Sequence, residues 1–174
     1  MRSGVHRVRA QLWIMPSETF QHLGDADLES LLAYLRSLPS AGERSPAPVL
    51  GPKAKAEIAG GSVKPADQLV REWKASPPVD LGPGHALGRY VASVTCAECH
   101  GPALAGDEGD TPDLDIAGAY STSELQSLLT TGKGKAPRDL GLMAKVGKNR
   151  FSQLTPRERS AVIAYVKARA ERPQ

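Results

Sequence analysis

Cysteine is scarce in this chain of 174 residues, which contains only Cys96 and Cys99. Two cysteines this close together cannot form the network of disulfides that holds a small secreted domain together, so a disulfide-rich fold is excluded. Both cysteines also belong to one local motif. No thiol is therefore left for a second metal site elsewhere in the sequence.

Aromatic residues, long apolar runs and net charge are also low. Aromatic side chains make up 5% of the residues, whereas the chain holds 17 glycines and 14 prolines, so loops are abundant and a core of side chains alone would be small. No apolar run reaches about 18 residues, which excludes a membrane span in this sequence. The net charge of +3 is too small to predict a nucleic-acid partner.

The two cysteines lie in the pentapeptide Cys96-Ala97-Glu98-Cys99-His100. Cys-x-x-Cys-His is the spacing of a c-type haem attachment site. One helical turn brings both sulfurs to the porphyrin edge, and the adjacent imidazole reaches the iron from one face. The motif predicts one covalent haem c, with Cys96 and Cys99 as thioether anchors and His100 as an axial iron ligand.

Two other kinds of site use similar residues. A redox-active Cys-x-x-Cys pair follows a strand, but residues 84–95 place their apolar side chains at helical spacing. A zinc site needs two further ligands at zinc-like spacing, and beyond the motif residues 84–174 offer only His85 and carboxylates. Haem attachment is the favoured interpretation of the three.

Residues 84–174 resemble the class I cytochrome c family, and the likeness rests on an order of motifs. These are Gly88 and Tyr90 before the cysteines, Gly101 after His100, Pro112 and Leu114 in a Pro-x-Leu element, a middle helix over 123–131, Met143, and residues 151–155 ahead of a C-terminal helix. The resemblance implies an all-α, cytochrome c-like fold of three to four helices around the covalently bound haem.

The sixth position of the iron separates electron transfer from catalysis. In the resembled family a thioether from a loop after the middle helix fills it, and Met143 is the only methionine in residues 84–174. A thioether raises the reduction potential and blocks the site against oxygen. Gly141 and Gly147 predict a loop around Met143, whereas a gap-filling core methionine is the alternative. His85 is the rival ligand, but it is more typical of a surface histidine.

The ring of His100 must also be oriented. The free ring nitrogen of a metal-bound histidine usually donates to a carbonyl or carboxylate. In the resembled family a proline carbonyl serves, which implicates Pro112 as the supporting residue. An ordinary turn proline is the equal alternative.

The start of the C-terminal helix is signalled by Thr155 as N-cap, Pro156 at the first helical position and Glu158 completing a capping box. The stripe that follows is apolar except at its last member: Val162, Tyr165, Val166 and Arg169. In the resembled family this helix crosses the N-terminal one. We therefore expect Tyr165 to contact Gly88 or Tyr90.

Residues 1–38 resemble the C-terminal end of a second, truncated cytochrome c domain. Phe20 and Tyr34 repeat the spacing of Phe151 and Tyr165, and Met15 precedes Phe20 much as a methionine precedes Phe151. A chance match of amphipathic helices is the alternative. This segment has no cysteine to bind a haem covalently. Residues 39–83 are predicted to form a proline-rich linker.

The N-terminal sequence shows no apolar segment of about seven residues or more that would mark a signal peptide. Haem attachment to this motif in bacteria nevertheless occurs outside the cytoplasmic membrane. We therefore expect the full protein to begin further upstream and to carry at least two haems. We also expect it to work in the periplasm or at the outer face of the cytoplasmic membrane.

The resemblance implies an electron carrier rather than an enzyme. Its donor and acceptor would be redox proteins of a respiratory or dehydrogenase-linked chain, such as a dehydrogenase or a terminal oxidase. A cytochrome subunit of a larger oxidoreductase is one alternative. A haem sensor or haem enzyme with an open sixth site is the other.

Charge is unevenly distributed in the second half of the chain. Residues 107–115 carry only acidic charges, namely Asp107, Glu108, Asp110, Asp113 and Asp115. Residues 133–150 are mainly basic, with Lys133, Lys135, Arg138, Lys145, Lys148 and Arg150 against Asp139. The basic run brackets Met143 and predicts a rim that steers an acidic partner, although a solvated loop is an equal alternative.

Overall fold

The computed structural model describes residues 2–8, 10–43, 49–107, 111–137 and 139–173. Glu108, Asp110 and Arg138 of the two charged runs, and residues 44–48 of the predicted linker, lie outside the described residues. The chain divides into two compact units, residues 1–74 and 75–174. Most of the predicted linker thus groups with the first unit, and the division into 1–38, 39–83 and 84–174 stays a prediction.

Within its described residues, the first unit combines a small antiparallel pair of strands with four helices. These elements are β1 (Val5–His6), β2 (Ala10–Gln11), α1 (Ser17–Phe20), α2 (Asp25–Ser37), α3 (Pro52–Ala59) and α4 (Ala66–Lys74). Helix α1 packs against α4 and buries Ser17, Thr19 and Ala66. Helix α2, by contrast, buries none of its residues.

The second unit is built from helices among the residues described. They are α5 (Ala86–Thr95), α6 (Ala97–His100), α7 (Thr122–Thr131), α8 (Leu142–Asn149) and α9 (Pro156–Glu171), with 3-10 turns at Pro83–His85, Leu114–Ala119 and Phe151–Gln153. This helical content confirms the predicted all-α fold. In the described parts of both units, no helix combines the length and apolar character needed to cross a membrane.

Helices α5 and α9 cross in direct backbone contact at Gly88. A Cβ atom added to Gly88 would lie 2.2 Å from the Ala161 carbonyl oxygen and 2.6 Å from the Cβ of Tyr165. Tyr165 is fully buried at this crossing. The predicted contact between Tyr165 and Gly88 is therefore confirmed.

A short segment, residues 78–80, which we call the strap, is hydrogen-bonded to this helix pair. The Tyr165 hydroxyl donates to the Val79 carbonyl at 2.8 Å. Arg89 donates from Nε to the Pro78 carbonyl and from Nη1 to Asp80, both at 2.8 Å. The second unit thus includes chain that precedes its first helix.

Capping boxes fix the N-terminal ends of two helices of the second unit, α7 and α9. Helix α9 begins with the predicted capping box, in which Thr155 and Glu158 exchange side-chain and backbone hydrogen bonds. Helix α7 begins with an equivalent box between Ser121 and Glu124 and ends at Gly132, whose φ of 75° is left-handed. The signal for α9 is local in sequence, which is why the sequence alone predicted it.

Candidate functional site

A cavity of about 660 Å³ lies inside the second unit. Its volume falls within the roughly 300–1,000 Å³ typical of ligand and cofactor sites. Most of its lining is apolar and comes from the central helices and turns, including Leu125, Leu128, Phe151, Val162, Ile163 and Val166. Few polar or sulfur-bearing side chains line the cavity.

The cysteine motif forms a single turn at one wall of this cavity. Cys96 lies between α5 and α6, as the C-cap residue of the first and the N-cap residue of the second. Its carbonyl accepts hydrogen bonds from the backbone N–H groups of Cys99 at 3.2 Å and His100 at 3.0 Å. The turn therefore presents both thiols and the imidazole to the same cavity.

The two thiols do not have the character of a redox-active pair. Burial raises the pKa of the Cys96 thiol to about 11, and a contact with the Thr95 hydroxyl offsets only part of that effect. Partial burial and the neighbouring Glu98 carboxylate raise the pKa of Cys99 as well. Reactive dithiols instead have a lowered thiol pKa. The motif also follows helix α5 rather than a strand.

His100 is held in one orientation by the backbone. Its side chain is 8% exposed, and its Nδ1 lies 2.8 Å from the Pro112 carbonyl oxygen. Because that oxygen can only accept, Nδ1 carries the proton, and Nε2 is the ring nitrogen left to bind a metal. This is the tautomer that a metal-binding histidine requires.

Met143 lines the same cavity, but the prediction that it lies in a loop is wrong. It is the second residue of helix α8, which begins directly after Gly141 at a φ of 57°. Gly147 is accommodated within the helix because it lacks a side chain. A Cβ there would lie 2.2 Å from the Leu128 carbonyl oxygen of α7. The glycines thus bracket and pack a helix, where the sequence favoured a loop.

His85, the rival ligand, lies in the turn Pro83–His85 and is not among the lining residues of the cavity. Sequence reasoning missed most of the apolar wall, because Leu125, Leu128 and Phe151 look like ordinary core residues. It also left the role of Arg169 open. The only signal there was a charge at the end of an apolar stripe.

The residues present fit a c-type haem. Apolar walls, two thiols in one turn, an imidazole oriented by the Pro112 carbonyl and a thioether form the donor set expected for thioether attachment with His and Met axial ligation. A closed zinc site would need further His, Cys or carboxylate ligands. Nowhere in the described ranges do three or more such side chains form a group suited to a metal ion.

Comparison with known protein families agrees with this geometry. The family model described as cytochrome c matches residues 86–170. Residues 86–170 are a cytochrome c domain. This domain contains all four of the predicted haem anchors and ligands, which are Cys96, Cys99, His100 and Met143.

One curated relative aligns with nearly the whole chain. The fructose dehydrogenase cytochrome subunit of Gluconobacter japonicus is 27% identical over 203 aligned positions, which cover 97% of this chain and 39% of the relative. The chain thus spans about two-fifths of that relative. No solved structure gives a significant match. The cytochrome c match begins at residue 86, so the truncated domain in residues 1–38 stays a prediction.

Proposed function

We propose that the cytochrome c domain is a one-electron carrier that holds a single haem c. Cys96 and Cys99 would be its thioether anchors, and His100 and Met143 its axial ligands. The supporting observation is that one apolar cavity brings these four side chains together. When bound, such a haem supplies reversible Fe(III)/Fe(II) chemistry.

The chain itself would then control the environment of the iron. The Pro112 carbonyl holds the His100 Nδ1 proton and keeps the ring turned toward the cavity. Apolar walls such as Leu128 and Phe151, both buried, exclude water. The Met143 thioether would close the second face against other ligands, which suits electron transfer better than substrate chemistry.

For the whole protein we propose the role of a cytochrome subunit that accepts electrons from a catalytic dehydrogenase. The support is the similarity to a dehydrogenase cytochrome subunit across 97% of the chain. The proposed acceptor is a redox protein of a respiratory chain. The proposed location is the periplasm or the outer face of the cytoplasmic membrane, where this type of haem attachment takes place in bacteria.

Exposed lysines on α8 support a partner that is acidic. Lys145 and Lys148 are exposed on the same short helix as Met143. Arg150 follows directly and lies 3.9 Å from Glu98, on the turn that carries the cysteines. Exposed cations on and beside the helix that carries Met143 would speed encounter with an acidic surface, and this effect would weaken with salt.

The test is the absorption spectrum of the oxidised, matured protein, compared with Met143→Ala. We expect a low-spin haem with the weak near-red band of sulfur-to-iron charge transfer, and we expect Met143→Ala to lose that band. The matched control is Lys145→Ala, which changes an exposed residue of the same helix that does not line the cavity, and should keep the band.

A high-spin parent without the near-red band would contradict the carrier and favour sensing or catalysis at an open site. A haem determination on the same sample tests the stoichiometry, with one haem per chain expected. Co-purification with a catalytic subunit would distinguish a subunit of a dehydrogenase from a free carrier.

A further inference from the structure

Arg169 is a charged residue in a position that the pattern of α9 reserves for an apolar one. It ends the stripe of Val162, Tyr165 and Val166, and it is only 2% exposed. Burying a guanidinium is expensive unless it is paired and hydrogen-bonded. Its partners therefore show what the position is used for.

The guanidinium joins two limbs of one loop. Nη2 donates to the Ala103 carbonyl at 3.1 Å, on the limb that leaves His100. Nη1 donates to the Asp113 carboxylate at 2.6 Å and also to Asp115, on the limb that returns. Arginine suits this task because its planar fork can serve several acceptors at fixed angles.

The loop that Arg169 closes carries the Pro112 carbonyl to His100. Leu114 N–H donates to the Leu104 carbonyl at 3.0 Å, which pairs the two limbs next to the guanidinium. Leu104 is fully buried and left-handed, with a φ of 61°. That conformation is unfavourable for a residue with a Cβ, so other contacts must hold it.

We propose that Arg169 is a positioning residue for the axial histidine: by tying Ala103 to Asp113 and Asp115, it fixes the loop so that the Pro112 carbonyl accepts from His100 Nδ1. This inference rests on the proposed function, because it assigns Arg169 a role only if His100 is an iron ligand. Arg169 acts through the loop and does not itself line the cavity.

Stability alone does not explain this residue. A buried ion pair is often no better for stability than well-packed apolar side chains of similar volume. A methionine at 169 would continue the apolar stripe of α9 and remove the hydrogen bonds from the guanidinium to the loop. The carboxylates would not be left buried without a partner, because the Asp113 side chain is 44% exposed and Asp115 keeps its ion pair with Arg172. Arg169→Met is therefore the informative change, because it can keep the fold and still free the loop.

The test measures how fast the His100 Nδ1 proton exchanges with solvent in the reduced holoprotein, by NMR with ¹⁵N-labelled histidine. In the parent the proton should be protected by its hydrogen bond to Pro112. We expect exchange to be about tenfold faster in Arg169→Met. This is on the scale of the roughly 10–100-fold losses in metal affinity or activity that follow loss of an outer-shell partner. Arg169→Lys keeps the charge but loses the fork, so its rate should be intermediate.

Arg159→Met is the matched control. Arg159 lies on the same helix, is half-buried, and donates from Nη2 to the carbonyls of Ser152 at 3.0 Å and Leu154 at 2.7 Å. It thus also fastens a loop to α9, but a different one. Its replacement should leave the exchange rate of the His100 proton unchanged.

The possible outcomes separate the two proposals. A parent whose iron is not bound by His100 overturns the proposed function, and the role of Arg169 with it. In a second outcome, the parent protein has the expected ligands while the His100 proton of Arg169→Met exchanges at the parental rate. That result overturns only the role of Arg169. Equal acceleration in Arg159→Met would also overturn it, since general loosening of α9 would then be the cause. If Arg169→Met fails to take up haem, Arg169→Lys decides on the same criterion.

Discussion

Asp113 shows how a single carboxylate is tuned on the loop behind the axial histidine. Burial works against its ionised form, but hydrogen bonds from the Arg169 guanidinium and the Asp115 N–H outweigh burial and hold the pKa of Asp113 below its ordinary 3.8. Arg172 adds a further favourable charge, and Asp115 is the other carboxylate in the cluster.

The lowered pKa predicts a contribution to stability that depends on pH. Because the folded state favours ionised Asp113, this contribution is complete above the ordinary value of 3.8 and is lost as the pH falls below it. Denaturant unfolding of the holoprotein should show Asp113→Asn less stable than the parent at neutral pH. The difference in the free energy of unfolding between the parent and Asp113→Asn should become smaller in acid.

Glu171→Gln is the control for that comparison, because it removes an exposed carboxylate from α9, the helix that carries Arg169. It should follow the parent at every pH. A gap between the parent and Asp113→Asn that stays constant or widens in acid would contradict the assignment.

The anchors and the loop behind them differ in how readable they are from sequence. Cys96, Cys99 and His100 share one turn, so their spacing alone predicts a common site. Arg169 finds its partners 54 to 66 residues away along the chain. No local sequence pattern can predict contacts between residues so far apart. The only signal at position 169 was a charged residue within an apolar stripe.

At the scale of helices, the crossing of α5 and α9 depends on the absence of a side chain at Gly88. Gly88→Ala would bring a methyl group within 2.2 Å of the Ala161 carbonyl oxygen, part of the backbone of α9. The helices would have to move apart, so we expect a loss of about 1–3 kcal/mol in the free energy of unfolding. Thermal or denaturant unfolding of the holoprotein measures it.

Gly84→Ala provides the comparison, since a Cβ at Gly84 meets no atom within 4 Å. Its effect on the free energy of unfolding should stay within about 1 kcal/mol, because it acts mainly on the unfolded chain. Equal effects of the two substitutions would show that close approach at the crossing is not what Gly88 provides.

Helix α9 was predictable from Thr155 onward, because a capping box is written in four consecutive residues. Helix α8 was not, because its glycines carry the local signal of a loop. Gly147 is instead selected by the closeness of α7, a tertiary reason that sequence does not display. The sequence thus predicts a helix well where a capping box marks its start, and poorly where packing against another helix selects its residues.

At the scale of the whole chain, the two units differ in how well their helices are buried. Helix α2 buries none of its residues and exposes Tyr34 and Leu35, whereas α9 buries five. A helix of this length is marginal in water without packing. We expect trypsin to cut the holoprotein first within residues 1–74, at sites such as Arg36, and to leave a haem-bearing fragment that keeps α9.

Haem staining and mass spectrometry of the fragments would follow this digestion, with cleavage after Lys167 in α9 as the internal reference. Cleavage of α9 before α2 would contradict the expectation. Equal resistance would show that the exposed apolar face of α2 is covered, by docking or by self-association, in solution.

The strap at residues 78–80 has a consequence for how this module can be transferred between proteins. The family match starts at residue 86, yet Tyr165 and Arg89 use the carbonyls of Val79 and Pro78. A graft cut at the homology boundary would leave a buried hydroxyl without its acceptor, at about 1–3 kcal/mol for such a group. The portable unit is therefore longer than the part that homology recognises, and a transplant should start at Ala75.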